Sequence, residues 1–219
     1  MTIATADRNL AALDLLGGDP ALDFVNSIDP RDGPEPPVDY LGDYQELARW
    51  AAYATVISTE RSQALIRDAG RNRRAAGRVW RRAIALREAL YRVLAARVRG
   101  EAVAEADLAT LDRERLRAEA HTELAAGSSG PFAIIATDEN DLEAPLRELA
   151  RASVALLTGA DPDRLRICPV AEGGCGWVVL DQTRNGSRRW CSMSSCGNHA
   201  KATRLTERRR RARAVRVPR

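Results

Sequence analysis

Every cysteine of this 219-residue chain lies between positions 168 and 196. The four are spaced Cys168-x6-Cys175, then fifteen residues, then Cys191-x4-Cys196. Two close pairs on two turns can supply the four soft ligands of a tetrahedral zinc ion. Glycines beside the ligands (Gly173, Gly174, Gly176 and Gly197) suit turns that need close backbone approach or positive φ. Two disulfides would require an oxidising compartment, and a redox dithiol would be expected to show Cys-x-x-Cys, which is absent. Four thiolates leave no open coordination position. The pattern therefore predicts one structural Zn2+ held by Cys168, Cys175, Cys191 and Cys196, which supplies much of the module's folding free energy.

Between the pairs, Trp177 to Leu180 reads as a strand and Asn185-Gly186 as a hairpin turn, with Arg188 to Cys191 as the return strand. Ser192 or Ser194 then caps a helix that begins near Ser195, in a treble-clef-like arrangement. His199, three residues after Cys196, is expected at the surface or behind the ligands rather than on the metal.

Charge divides the chain. From Arg164 onward fourteen Lys and Arg face three acids, a net of +11; the preceding residues carry twenty basic and twenty-seven acidic side chains, a net of −7. On the predicted C-terminal helix Lys201, Arg204, Arg208 and Arg211 share one face, a stripe suited to phosphates. Arg188 and Arg189 are candidate contacts too, and equally candidates to offset the charge of a zinc tetrathiolate.

The preceding 160 residues read as mainly helical. Apolar spacing predicts helices over 40–53, from Ser58 or Thr59 onward, 77–99, 104–124 and 142–157. The 77–99 segment carries a broad apolar face interrupted by Arg87, as in the central helix of a bundle; a coiled-coil dimer is the alternative. Phe132 to Ala136 is a short β-like run. Asp161-Pro162 marks the boundary. The expected organisation is a helical domain over 1–160, a zinc module over 164–213 and a basic tail over 214–219. The fold class is mainly α, with a short β segment and a small zinc module of β-hairpin plus basic helix.

The stretch from Cys168 to Arg211 resembles the CGNR zinc finger family. The residues that carry the likeness are the cysteine pairs, Gly176-Trp177, Asp181, Ser187-Arg188-Arg189-Trp190-Cys191-Ser192-Met193, Cys196-Gly197-Asn198 and Ala200-Lys201-Ala202. The name-giving arginine of that family is His199 here, which loses the permanent charge and fork geometry. The helical part, with Gly-Gly-Asp-Pro-Ala-Leu-Asp-Phe-Val-Asn-Ser near its start, resembles the ABATE domain that commonly precedes such fingers and is named for stress-induced transcription regulation. The resemblance implies DNA binding and transcriptional control.

The reading that follows is a DNA-binding regulator with contacts at Arg188, Arg189, Lys201, Arg204 and Arg208. RNA binding, with Trp177 and Trp190 stacking on bases, and a zinc-stabilised protein-interaction module are the alternatives. No nucleophile–base set, phosphate loop or histidine cluster suggests an enzyme. No membrane span or secretory leader is visible, so a cytoplasmic protein is expected. A homodimer is possible. The sequence names no small-molecule effector; Phe24, Asn26 and Trp50 are the first places to look for a helical pocket.

Overall fold

A computed structural model describes residues 9–126, 132–137 and 141–215. The first eight residues, residues 127–131 and 138–140, and residues 216–219 of the basic tail lie outside the described residues. Among the described residues six helices build the body: α1 (Pro20–Val25), α2 (Tyr44–Tyr53), α3 (Thr59–Arg71), α4 (Arg73–Arg99), α5 (Glu105–Glu119) and α6 (Ala144–Gly159).

The starts of α1 to α4 follow side-chain caps, at Asp19, Asp43, Ser58 and Asn72. The helix read from position 40 begins at Tyr44, because Asp43 accepts the Glu46 amide at 2.8 Å while Glu46 reaches back to the Gly42 amide at 2.8 Å. Ser58 caps α3, and Pro145 of α6 sits in the first turn, where its missing N–H costs nothing. α4 ends at Gly100, which takes the left-handed conformation with φ 68°.

α4 is the axis of the body. Ala76, Val79, Ala83, Leu86, Leu90 and Val93 form its buried stripe. That stripe is covered from within the chain, since α4 packs against α1, α2, α3, α5 and α6. This stripe therefore belongs to the core of the single chain. Leu86 and Leu90 are fully buried, each worth about 1.5–3 kcal/mol relative to exposure.

Arg87 lies on the same buried face and is 2% exposed. Its guanidinium forks onto both oxygens of Asp39, each at 2.8 Å, and also reaches Ser27 Oγ at 3.1 Å. Asp39 belongs to β2 (Val38–Asp39), paired with β1 (Ile28–Asp29). Burial alone would push the Asp39 carboxyl up; the hydrogen bonds and charge of Arg87 reverse this and hold it below its usual range.

Helix α5 stops at Glu119, short of the predicted Leu124. The chain turns at His121 into β3 (Thr122–Ala125), which pairs antiparallel with β4 (Ala133–Ala136), Leu124 opposite Ile134. The cross-strand partner lies several residues later in the chain, so the local pattern of charges could not announce it.

The polypeptide then leaves α6 for β5 (Leu165–Ile167), which pairs antiparallel with β6 (Val178–Leu180) and lies against α4. This corrects the predicted hairpin. Trp177 to Leu180 does contain a strand, but its partner precedes Cys168, and Arg188 to Cys191 forms no strand. The Asn185-Gly186 turn exists, with Gly186 at φ 61°, yet the chain after it is held by Asp181, whose carboxylate accepts the amides of Thr183 and Arg188. Helix α7 (Asn198–Val215) closes the described chain.

Candidate metal centre and basic face

Two loops and one helix start bring the cysteines together. Around the first pair, the Cys168 amide donates to Trp177 O at 2.8 Å and the Gly174 amide to Pro169 O at 2.9 Å, folding a tight knuckle. Gly174 has no room for a side chain: a Cβ there would stand 2.7 Å from Cys168 Sγ and 2.8 Å from Pro169 O. Gly176, at φ 78°, lets the knuckle meet the body, where a Cβ would approach the Asp32 amide nitrogen to 3.1 Å. Around the second pair, Ser192 caps a wide turn over Met193–Gly197 that leads directly into α7, and Cys196 projects from that turn.

The four sulfurs lie within 4.8 Å of one another. Cys191 Sγ is 3.5 Å from both Cys175 Sγ and Cys196 Sγ. A tetrahedron with zinc–sulfur bonds of ~2.3 Å has sulfur–sulfur edges of about 3.8 Å, so the donor set fits one zinc ion. His199 is not part of the cluster; it is exposed, with its ring against Gly173.

Without a cation these thiols could not all ionise. The neighbouring Cys175 and Cys191 thiols pull the Cys168 thiol down from its ordinary range. Cys175 and Cys191 are pushed up chiefly by the hydrogen bonds they donate to Cys168, and Cys196 is pushed up by burial. A divalent metal removes that conflict and releases the protons.

The metal module is not a separate bead. Asn26, at the C-terminal end of α1, donates to Val178 O at 2.7 Å and accepts from the Val178 amide at 2.9 Å. The Trp177 indole donates to Ile28 O at 3.0 Å, and the Leu180 amide to Gly17 O at 2.8 Å. The Arg31 amide donates to Cys175 O at 2.8 Å, while its side chain, over the Tyr91 ring at 4.1 Å, pairs with Glu88 of α4. The ligand loop thus rests on the body's N-terminal segment, with Arg31 joining it to α4.

These contacts reassign three residues. Phe24 and Trp50 are fully buried and pack on each other with ring centroids 5.7 Å apart; Asn26 is 2% exposed and engaged with Val178. All three are buried. A cavity of about 480 Å³ opens between the N-terminal segment and the metal module, and none of the three lines it. Asp14, Asp29, Asp32, Glu35, Trp177 and His199 are among its walls. Burial, with Glu35, Cys168 and Asp14 nearby, pushes the Asp29 carboxyl up.

The predicted basic contacts separate into three kinds. Arg188 is engaged inward: its guanidinium donates to Leu16 O at 2.8 Å, Cys191 O at 2.7 Å, Leu180 O at 3.1 Å and Trp190 O at 3.3 Å. A side chain that satisfies four backbone carbonyls is a brace, and it is removed from the phosphate contacts. Arg189 and Arg204 are exposed and both pair with Glu172. Lys201 and Arg208 are exposed with no partner among the described residues. Trp177 and Trp190 are 4% and 8% exposed, which removes the base-stacking surface that RNA recognition would use.

Asn26 as a clamp and Glu172 as an ion-pair centre were not foreseen. The Asn-Ser pair after an apolar run could have flagged Asn26, but nothing local pointed to a partner 152 positions away.

Two family models match the chain. The model described as "Putative stress-induced transcription regulator", ABATE, covers residues 18–160, and the CGNR zinc finger model covers 164–209. No curated protein matches. The first match spans more than half of the 219 residues, and the chain belongs to the ABATE family, with a CGNR zinc finger at its C-terminal end.

Proposed function

We propose that this ABATE-family chain is a DNA-binding transcription regulator whose zinc finger presents α7 to the duplex. The observation that carries the reading is the isolation of α7. Its main contact is the Met193–Gly197 turn of the metal centre, and Ala200 is buried there. From Lys201 to Thr206, and at Arg208 and Arg209, every side chain is exposed. A helix this exposed, with even Leu205 in solvent, buries little of itself, and its charge favours an anionic partner. Lys201, Arg204 and Arg208 fall on one face, with Arg189 beside it across Glu172, and a phosphate backbone matches them. The acidic body would repel DNA and leave only this end to bind. Zinc fixes the start of α7 and therefore its direction. The chemistry is binding rather than catalysis. No helix among the described residues is long and apolar enough to cross a membrane.

The body is the part that would sense a stress or a ligand. An effector would find the acid-lined cavity beside the metal, where it would touch the N-terminal segment and the finger together.

The test is selection from a random duplex pool by the zinc-loaded full chain, with and without chelator. A regulator enriches a common motif only when zinc is present. A pool that stays random, together with nucleic-acid binding absent at low salt, would instead support a protein-interaction module.

A further inference from the structure

Glu172 sits in the knuckle between Cys168 and Cys175, Arg189 precedes Cys191, and Arg204 lies on α7 beyond Cys196. The metal ligands therefore tie three separate segments at one point, and these three side chains meet above it. Their geometry is specific. Glu172 Oε1 accepts from Arg189 Nη2, and Oε2 accepts from Arg204 Nη2 at 2.5 Å. The hydrogen bond from Arg189, and then that from Arg204, hold the carboxyl below its usual range. Arg189 is steadied by the Trp190 ring, 5.6 Å from its guanidinium carbon.

One anion gripped by two guanidiniums, a separate oxygen to each, is how arginine pairs take a phosphate. We propose that Arg189 and Arg204 form a phosphodiester site on the finger, and that Glu172 occupies it as an internal stand-in until DNA displaces the carboxylate. The three side chains are 56%, 52% and 32% exposed for Arg189, Arg204 and Glu172, so an incoming backbone reaches the site without any rearrangement of the fold. Exposed ion pairs of this kind exchange readily. The neighbouring Lys201 and Arg208 would make first contact, and displacement of Glu172 would follow once a phosphate is close. The carboxylate thus raises the threshold for loose binding and rewards a backbone held in register.

This inference rests on the DNA reading above. Anisotropy titrations of a labelled duplex with the zinc-loaded full chain, across ~50–200 mM salt, test it. Glu172→Gln should bind about two- to fivefold tighter, the scale of an exposed ion pair, with a salt slope steeper by about one to two units. Glu172→Ala, which leaves no acceptor, should do the same. Arg204→Ala in the Glu172→Gln background should erase the gain. Zinc content measured on each variant checks that the knuckle is intact. If both Glu172 variants bind no tighter than the parent while Lys201→Glu weakens binding, the stand-in is wrong and the DNA reading survives. If the parent itself binds no duplex at the lowest salt, the DNA reading fails and the phosphate site falls with it.

Discussion

Asn26 and Val178 lie 152 positions apart and exchange two hydrogen bonds, 2.7 Å from the Asn26 amide to Val178 O and 2.9 Å from the Val178 amide to Asn26 Oδ1. One side chain thereby completes the outer edge of β6 as a further strand would. Both residues are buried, so water cannot replace either bond. Asn26→Leu should cost about 2–4 kcal/mol, from two lost bonds and two orphaned backbone groups. Denaturant unfolding measures the loss, and amide exchange should locate it at Val178 and its neighbours. Unchanged exchange at Val178 would show that the clamp is not needed.

Arg87 and Asp39 should behave as a buried pair. Arg87→Met alone strands the carboxylate and should destabilise by about 3–5 kcal/mol, whereas Arg87→Met with Asp39→Leu should recover most of that loss. Because the folded Asp39 carboxyl is held below its unfolded value of ~3.9, its contribution is complete above that pH and declines as pH falls through the lower folded value. The parent protein should therefore lose stability below about pH 4, and the double variant should lose less. Equal acid sensitivity in the two would contradict the pairing.

Zinc should be required for the orientation of α7. Chelation, or Cys191→Ser, should release the knuckle and α7 and loosen the segment around Ile28 and Arg31 that rests on it. The α2–α6 core should stay folded. Apparent affinity should fall as pH is lowered, because protons compete for the four sulfurs, and metal titration in weak buffer should record proton release on binding. A far-ultraviolet spectrum and Arg31 amide exchange that do not respond to metal removal would argue against this coupling.

Arg188 and Lys201 should separate structure from recognition. Arg188→Lys loses the fork that reaches four carbonyls, so it should lower stability by about 1–3 kcal/mol. Its DNA affinity, measured well below the unfolding temperature, should keep the parent's salt slope. Lys201→Ala should leave the melting temperature within about a degree or two and reduce the slope by roughly one unit. A reversed pattern would return Arg188 to the binding surface.

The metal centre was legible in the chain because its signal is local. Ligand spacing, the glycines of the knuckle and the Ser192 cap all act within a few residues. The same holds for α2, α3 and α4, whose caps and apolar periods are properties of short windows, and for the apolar period of α6. Basic residues on one face of α7 could likewise be counted from spacing alone. Distant pairings were not legible. The partner of β6 turned out to be β5 rather than Arg188 to Cys191, because strand pairing is chosen by what packs on α4 and α1, not by the nearest turn. Arg188 and Arg204 look alike in sequence; only folding directs one inward to four carbonyls and leaves the other at the surface with Glu172. Asn26 and Trp50, which could have served a pocket, were closed off by burial. The chain by itself determined the chemistry of the metal site and the sign of its charge, which depend on residue type and short spacing. Only the tertiary structure decided which charges remain accessible, because exposure depends on long-range packing that short spacing does not encode.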